Sequence, residues 1–106
     1  MNLTIDVLEK EQQSIVCLSG EIDVYTANDL KERLIPLTEK EGTVVEVDFN
    51  HVRYMDSTGL GVFIGALKST KKHGSHLKLI HLNHRVLRLF KITGLNEIMD
   101  IAEKTR

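Results

Sequence analysis

The apolar residues of this chain change period several times, and that alternation limits its possible folds more than any other feature. Leu3, Ile5 and Val7 alternate with Asn2, Thr4 and Asp6, which predicts a half-buried strand. Ser14 to Ser19 is β-rich and reads as a second strand buried on both faces. The short polar link from Glu9 to Gln13 joins the two as a hairpin. Gly20 to Asp23 follows as a loop, and Thr26 reads as a helix N-cap. Behind it, Ala27, Leu30, Leu34 and Leu37 recur at helical spacing; Pro36 should kink or loosen the last turn, and Gly42 ends the element. Val45, Val47 and Phe49 return to period two. A second helix is expected from about Ser57 to Lys72, with Leu60, Phe63, Ile64 and Leu67 on one face and Gly74 closing it. His76 to Leu82 makes a fourth strand. Val86, Leu87, Leu89 and Phe90 make a short third helix broken by Gly94, and Ile98, Met99, Ile101 and Ala102 mark a last short one.

The order β-β-α-β-α-β-α-α defines an α/β chain. Right-handed crossovers between parallel strands then give one four-stranded mixed sheet with helices mainly on one face. In such sheets, function gathers at the strand ends where helices begin.

The length of 106 residues corresponds to a single domain, 1–106. With 42% hydrophobic and 27% charged residues, the chain can bury a core and is not of the disordered class. Its 14 basic and 15 acidic residues leave a net charge of −1, so no nucleic-acid partner is expected. The basic cluster Lys68, Lys71, Lys72 and His73 suits the C-terminal end of a helix dipole. The lone Cys17 excludes an internal disulfide. The N-terminal segment carries Asp6, Glu9 and Glu11 in place of a signal sequence, and no apolar run approaches the roughly 20 residues that span a membrane, so a cytoplasmic protein with no membrane partner is expected.

The most informative segment is Tyr54-Met55-Asp56-Ser57-Thr58-Gly59-Leu60-Gly61, at the expected start of the second helix. Three cap-competent residues stand in a row where one would suffice. Two glycines follow in the first turns, each costing about 1 kcal/mol against alanine in a helix interior. A serine at a helix N-terminus suits phosphorylation, because free N–H groups and the dipole stabilise the added anion. The plainer alternative is that Asp-Ser-Thr only caps the helix and the glycines serve close packing. Gly20-Glu21-Ile22-Asp23-Val24-Tyr25 ends the second strand as the Ser57 segment ends the third. With the two strands parallel and adjacent, Asp23 would lie near Ser57, to meet a partner's cation, to orient the serine, or simply to shape a turn.

Other chemistries find little support. Gly59-Leu60-Gly61 lacks the third glycine of a dinucleotide fingerprint and is followed by no Walker lysine, so no cofactor is expected. His51, His73, His76, His81 and His84 include one pair, His81 and His84, that could share a face, but no carboxylate or cysteine completes a metal site. No Ser–His–Asp set assembles, so an enzyme is not expected.

The segments Gly20 to Ala27, Met55 to Phe63 and Leu89 to Leu95 together resemble the anti-anti-sigma factors of the STAS-domain class, the general-stress antagonists that free sigma-B above all. The resemblance runs the length of the chain. It implies a STAS fold and partner switching. The unphosphorylated protein binds an anti-sigma factor that is also a serine kinase and so releases the sigma factor. ATP-dependent phosphorylation, here at Ser57, dissociates the complex, and a PP2C-type phosphatase restores the active form. The implied partner-binding positions are Glu21, Asp23, Tyr25, Asp56, Thr58, Gly59, Leu60 and Gly61. Thr58 stays open as an alternative phosphosite, and Asp56 as either a helix cap or an aid to the kinase's metal. The rival readings are a STAS subunit of another complex, such as a lipid-transport ATPase, without a phospho-switch, and a small enzyme or phosphocarrier, which a phosphohistidine at His51 or His84 would favour.

Overall fold

A computed structural model describes residues 2–102. The strands are β1 (Leu3–Glu9), β2 (Gln13–Ile22), β3 (Val44–Met55), β4 (His76–Ile80) and β5 (Asp100–Ile101). The helices are α1 (Ala27–Thr38), α2 (Ser57–His73) and α3 (His84–Ile92), with a single 3-10 turn over Leu95–Glu97. The strands lie side by side in chain order; β1 pairs antiparallel with β2, and every later neighbour is parallel. Right-handed crossovers that step in one direction place successive helices on the same face of a sheet. The α/β architecture therefore follows the expected one, with a fifth strand added.

That fifth strand corrects the expected last helix. Ile98 to Ala102 do not coil: Met99 is buried, Ile98 is exposed, and Asp100 and Ile101 pair with Lys78 and Leu79. Ala102 donates its N–H to the Leu79 carbonyl at 3.0 Å. A helix of one turn has no cooperativity of its own, whereas the open edge of β4 offers backbone partners at once. β4 itself stops at Ile80, short of the expected Leu82, because His81 takes a left-handed conformation with φ 62°.

β2 differs in two ways. It runs on through Gly20 to Ile22, which the sequence assigns to a loop, and it is buried on one face only: Val16, Leu18 and Ile22 point into the core while Cys17 and Ser19 are exposed. Gly20 is needed where β1 crosses it, since φ is 118° and a Cβ would stand 2.1 Å from the Asn2 carbonyl oxygen. β3 carries the sheet's irregularity. Opposite Cys17–Ser19 and again opposite Gly20–Glu21 it holds one extra residue, so its buried positions run Val45, Val47, Phe49 and then Val52 and Met55. Two bulges of this kind twist and re-aim the end of a strand, here the end that leads into α2.

α1 continues two residues beyond Pro36 and closes with a bond from the Glu39 N–H to the Pro36 carbonyl, so the proline does not end it. Gly42 instead serves the next turn, donating to the Gly74 carbonyl at 2.9 Å. The core is stapled by rings: Phe49 of β3 meets Phe63 of α2 at 5.2 Å between centroids, and Phe63 meets Phe90 of α3 at 6.3 Å. Aromatic pairs of this geometry add about 0.5–1.5 kcal/mol each beyond their area burial, and they fix the helix whose first turn carries Ser57.

Candidate functional site at the ends of β2 and β3

Ile22 and Met55 are register partners, and the Asp56 N–H donates to the Ile22 carbonyl at 3.2 Å. The residues that follow, Asp23 and Asp56, therefore leave the sheet side by side, as the parallel arrangement requires.

Asp23 is 5% exposed. Its Oδ1 accepts from the Tyr25 N–H at 2.9 Å and the Thr26 N–H at 3.1 Å, and lies 3.3 Å from the Thr26 hydroxyl. That hydroxyl lies 2.9 Å from the Glu21 carbonyl and accepts from the Asp23 N–H at 3.0 Å. The side chain thus shapes a closed turn, the plainest of the three roles open to it; it makes no bond to Ser57 and, being buried, is not presented to a partner's cation. The same bonds correct Thr26, which precedes α1 but makes no side-chain cap; its hydroxyl faces back into the turn. What the turn holds outward is Val24, 63% exposed, and Tyr25, 78% exposed.

Asp56 is extended (φ −110°, ψ −172°), and its Oδ1 accepts from the N–H groups of Thr58 at 2.9 Å and Gly59 at 3.2 Å. Asp56 is the cap, and Ser57 is the first helical residue. Ser57 is exposed, and its hydroxyl has no hydrogen-bond partner among the described residues. Thr58 is likewise exposed with its hydroxyl unbonded.

The two glycines part company. A Cβ at Gly59 would stand 2.6 Å from Ile22 Cγ2 and 2.7 Å from Met55 Cγ, so Gly59 lets α2 start hard against the sheet. A Cβ at Gly61 would meet nothing within 4 Å. Gly59 and Leu60 are buried, which removes both from the outward-facing set; Tyr25, Thr58 and Gly61 remain on it.

Glu21 is occupied within the chain. Its Oε2 accepts from the Arg53 guanidinium at 2.6 Å and its Oε1 from the Asn2 N–H at 3.1 Å. The Arg53 hydrogen bond, with that of Asn2 second, holds its carboxyl below the usual range. Sequence reasoning missed three features here. Tyr54, the register partner of Glu21, is 50% exposed. Arg53 ties the two strand ends together. A groove of about 380 Å³ runs between α1 and α2, bordered by Val24, Asn28 and Lys31 on one side and Thr58, Gly61 and Gly65 on the other. The signal for the groove was the spacing of Gly61 and Gly65, one helical turn apart.

The remaining polar residues offer no competing centre. No cluster of three metal-ligating side chains exists among the described residues. His81 Nδ1 pairs with Asp48 at 2.9 Å and His76 Nε2 with Asp100 at 2.7 Å. Cys17 lies beside Asp6 and Asp48 on the helix-free face, where desolvation first, then Asp48, Asp6 and Glu46, push its thiol pKa up.

The STAS domain family matches residues 4–106. An anti-sigma-B factor antagonist of Bacillus subtilis is 50% identical over 105 residues, covering 99% of this chain and 95% of the relative. One of Listeria monocytogenes is 48% identical, covering 95% of this chain and 90% of the relative. The fold also matches the anti-sigma factor antagonist SpoIIAA in its unphosphorylated form (TM-score 0.74, 13% identity, covering 96% of this chain and 90% of that one). It matches the Bacillus SpoIIAA structure in the phosphorylated form equally (TM-score 0.72, 17% identity, 95% and 93% coverage). The chain belongs to the STAS domain family, alongside the anti-sigma-B factor antagonists.

Proposed function

We propose that this STAS-domain chain is an antagonist of an anti-sigma factor, a regulatory protein and not an enzyme, and that a phosphate on Ser57 switches it off. The unmodified chain binds an anti-sigma factor that is also a serine kinase and thereby frees a sigma factor, with sigma-B of the general stress response the one its relatives' names point to. The kinase transfers the γ-phosphoryl group of ATP to the Ser57 oxygen, and a PP2C-type phosphatase removes it by hydrolysis.

The observation that carries this reading is the division of labour at the start of α2. Asp56 caps the helix, so the exposed Ser57 hydroxyl is left without a structural task. The helix N-terminus accommodates the added charge of about −1.5 to −2. The surrounding surface suits a protein partner: Val24, Tyr25 and Tyr54 are exposed apolar side chains around the two turns, and Gly61 leaves backbone bare for close approach. A dianion within such an interface is desolvated without a partner. A misplaced interfacial charge costs on the order of 2–5 kcal/mol, which is a roughly 30- to 4000-fold loss of affinity. Local charge suffices, with no refolding, and the likeness of this fold to both phosphorylation states of one solved STAS protein supports that economy.

The test is peptide mass spectrometry after incubation with the purified anti-sigma kinase and ATP. One phosphate on Ser57 with loss of the complex is expected. A phosphate on Thr58 alone would move the site by one residue. No phosphate, with stable binding to another protein, would leave a STAS adaptor without a switch.

A further inference from the structure

We infer that the basic surface formed by the end of β3 and by α3 docks a carboxylate-rich segment of the protein partner, separately from the Ser57 edge. The inference rests on the partner-binding function above and names a second contact for it.

A pocket of about 640 Å³ opens between the two elements; Arg53 and Arg85 line it together with His51 and His84, and no acidic side chain does. Asn83 holds the pocket's two walls together: its Nδ2 donates to the Val52 carbonyl at 3.0 Å and its Oδ1 accepts from the Val86 N–H at 2.9 Å. Arg53 bonds Glu21 through one nitrogen, yet its side chain is 71% exposed and retains further N–H donors. Arg85 and His84 have no acidic partner among the described residues. Arg88 is exposed one turn further along the same face and also unpaired.

This placement runs against local stability. The first turn of α3 has no acidic residue and carries Arg85, although a helix N-terminus disfavours cations by about 0.3–1 kcal/mol. Natural sequences concentrate such local exceptions at functional or strained sites. The charge of this surface complements carboxylates, and it adjoins the Ser57 edge through Arg53 and Tyr54. Nucleic acid fits less well: the cations occupy one pocket and one nine-residue helix, and the chain as a whole is not basic.

The experiment has two parts. In the first, the ¹⁵N-labelled chain is titrated with an octaglutamate peptide and, separately, with a mixed-sequence DNA duplex at the same salt. Amide shifts at residues 51–53 and 84–88 with the peptide support the proposal; no shifts there, or preference for the duplex, overturn it. In the second, association with the purified anti-sigma factor is timed for wild type and for Arg85→Glu/Arg88→Glu at low and high salt. The variant should associate about tenfold more slowly at low salt and converge with wild type at high salt. Equal association at every salt concentration overturns the proposal. Should wild type not bind the anti-sigma factor at all, the functional reading fails, and the peptide shifts alone then judge this surface.

Discussion

At the ends of β2 and β3 two aspartates lead into two helices, and each has a hydroxyl residue nearby. Asp23 is buried, and Thr26 beside it has its hydroxyl engaged both as donor and as acceptor. Asp56 is only partly buried, and Ser57 beside it has a hydroxyl with no partner among the described residues. Both turns set a hydroxyl residue after an aspartate, but their chemistry is opposite. In the first, the aspartate and the hydroxyl close on each other and fix the backbone. In the second, the aspartate alone does the fixing, and the hydroxyl takes no part in it. A residue suited to modification is one whose side chain the fold does not need.

The sharpest way to break this contrast is to charge each hydroxyl position in turn. Ser57→Asp should fold normally and lose affinity for the anti-sigma factor by roughly 30- to 4000-fold, corresponding to about 2–5 kcal/mol, measured by isothermal titration. Ser57→Ala should bind as wild type does and resist phosphorylation. Wild-type binding by both variants would place the switch elsewhere.

Uncharged replacements test the other side of the comparison. Thr26→Val removes the buried hydroxyl and leaves the Asp23 N–H without its acceptor, so unfolding in urea should show a loss of about 1–3 kcal/mol. Asp56→Ala removes the cap of α2 and should cost about 1 kcal/mol. Ser57→Ala should change stability by less than about 0.5 kcal/mol. A Ser57→Ala loss as large as that of Thr26→Val would show that Ser57 is structural after all.

Much of this was legible in the sequence. Periods of two and 3.6 are direct records of which side chains face the core, so β1, α1, α2 and α3 can be read from spacing. β3 shows where that reading ends: its bulges shift the buried phase from Phe49 to Val52 and Met55, and pairing with β2 creates them. β5 is two residues long and exists only because β4 offers an edge. At the site, Ser57, Asp56 and Asp23 stand out by residue type and position. Which of them would be buried, and which of Gly59 and Gly61 would touch the sheet, depends on how closely α2 approaches Ile22, a distance that no local pattern encodes.

The glycines restate the comparison one turn further along α2. Gly59→Ala gains helix propensity but forces a methyl into Ile22 and Met55, and overpacking costs about 1–3 kcal/mol. A net destabilisation of up to about 2 kcal/mol is expected. Gly61→Ala meets open space and should stabilise the chain by up to about 1 kcal/mol while weakening partner binding. Reversed signs in thermal unfolding would mean that the start of α2 stands off from the sheet.

The smallest effect concerns the link between the two turns. Glu21, two residues before Asp23, bonds Arg53, three residues before Asp56, so one exposed ion pair joins the strand ends that carry both aspartates. Hydrogen bonding from Arg53 lowers the Glu21 carboxyl below its ordinary value of 4.5 in the folded chain. The unfolded state therefore takes up the proton first as pH falls. The pair's contribution is complete above the unfolded value and is lost as pH drops through the folded one. Arg53→Ala should therefore be slightly less stable than wild type at neutral pH, with the difference closing on acidification below about 4.5 and shrinking in high salt. Urea unfolding of both proteins across that range measures it. A difference that persists unchanged at the lowest pH would mean that Arg53 contributes through packing of its side-chain stem and not through the charge of Glu21.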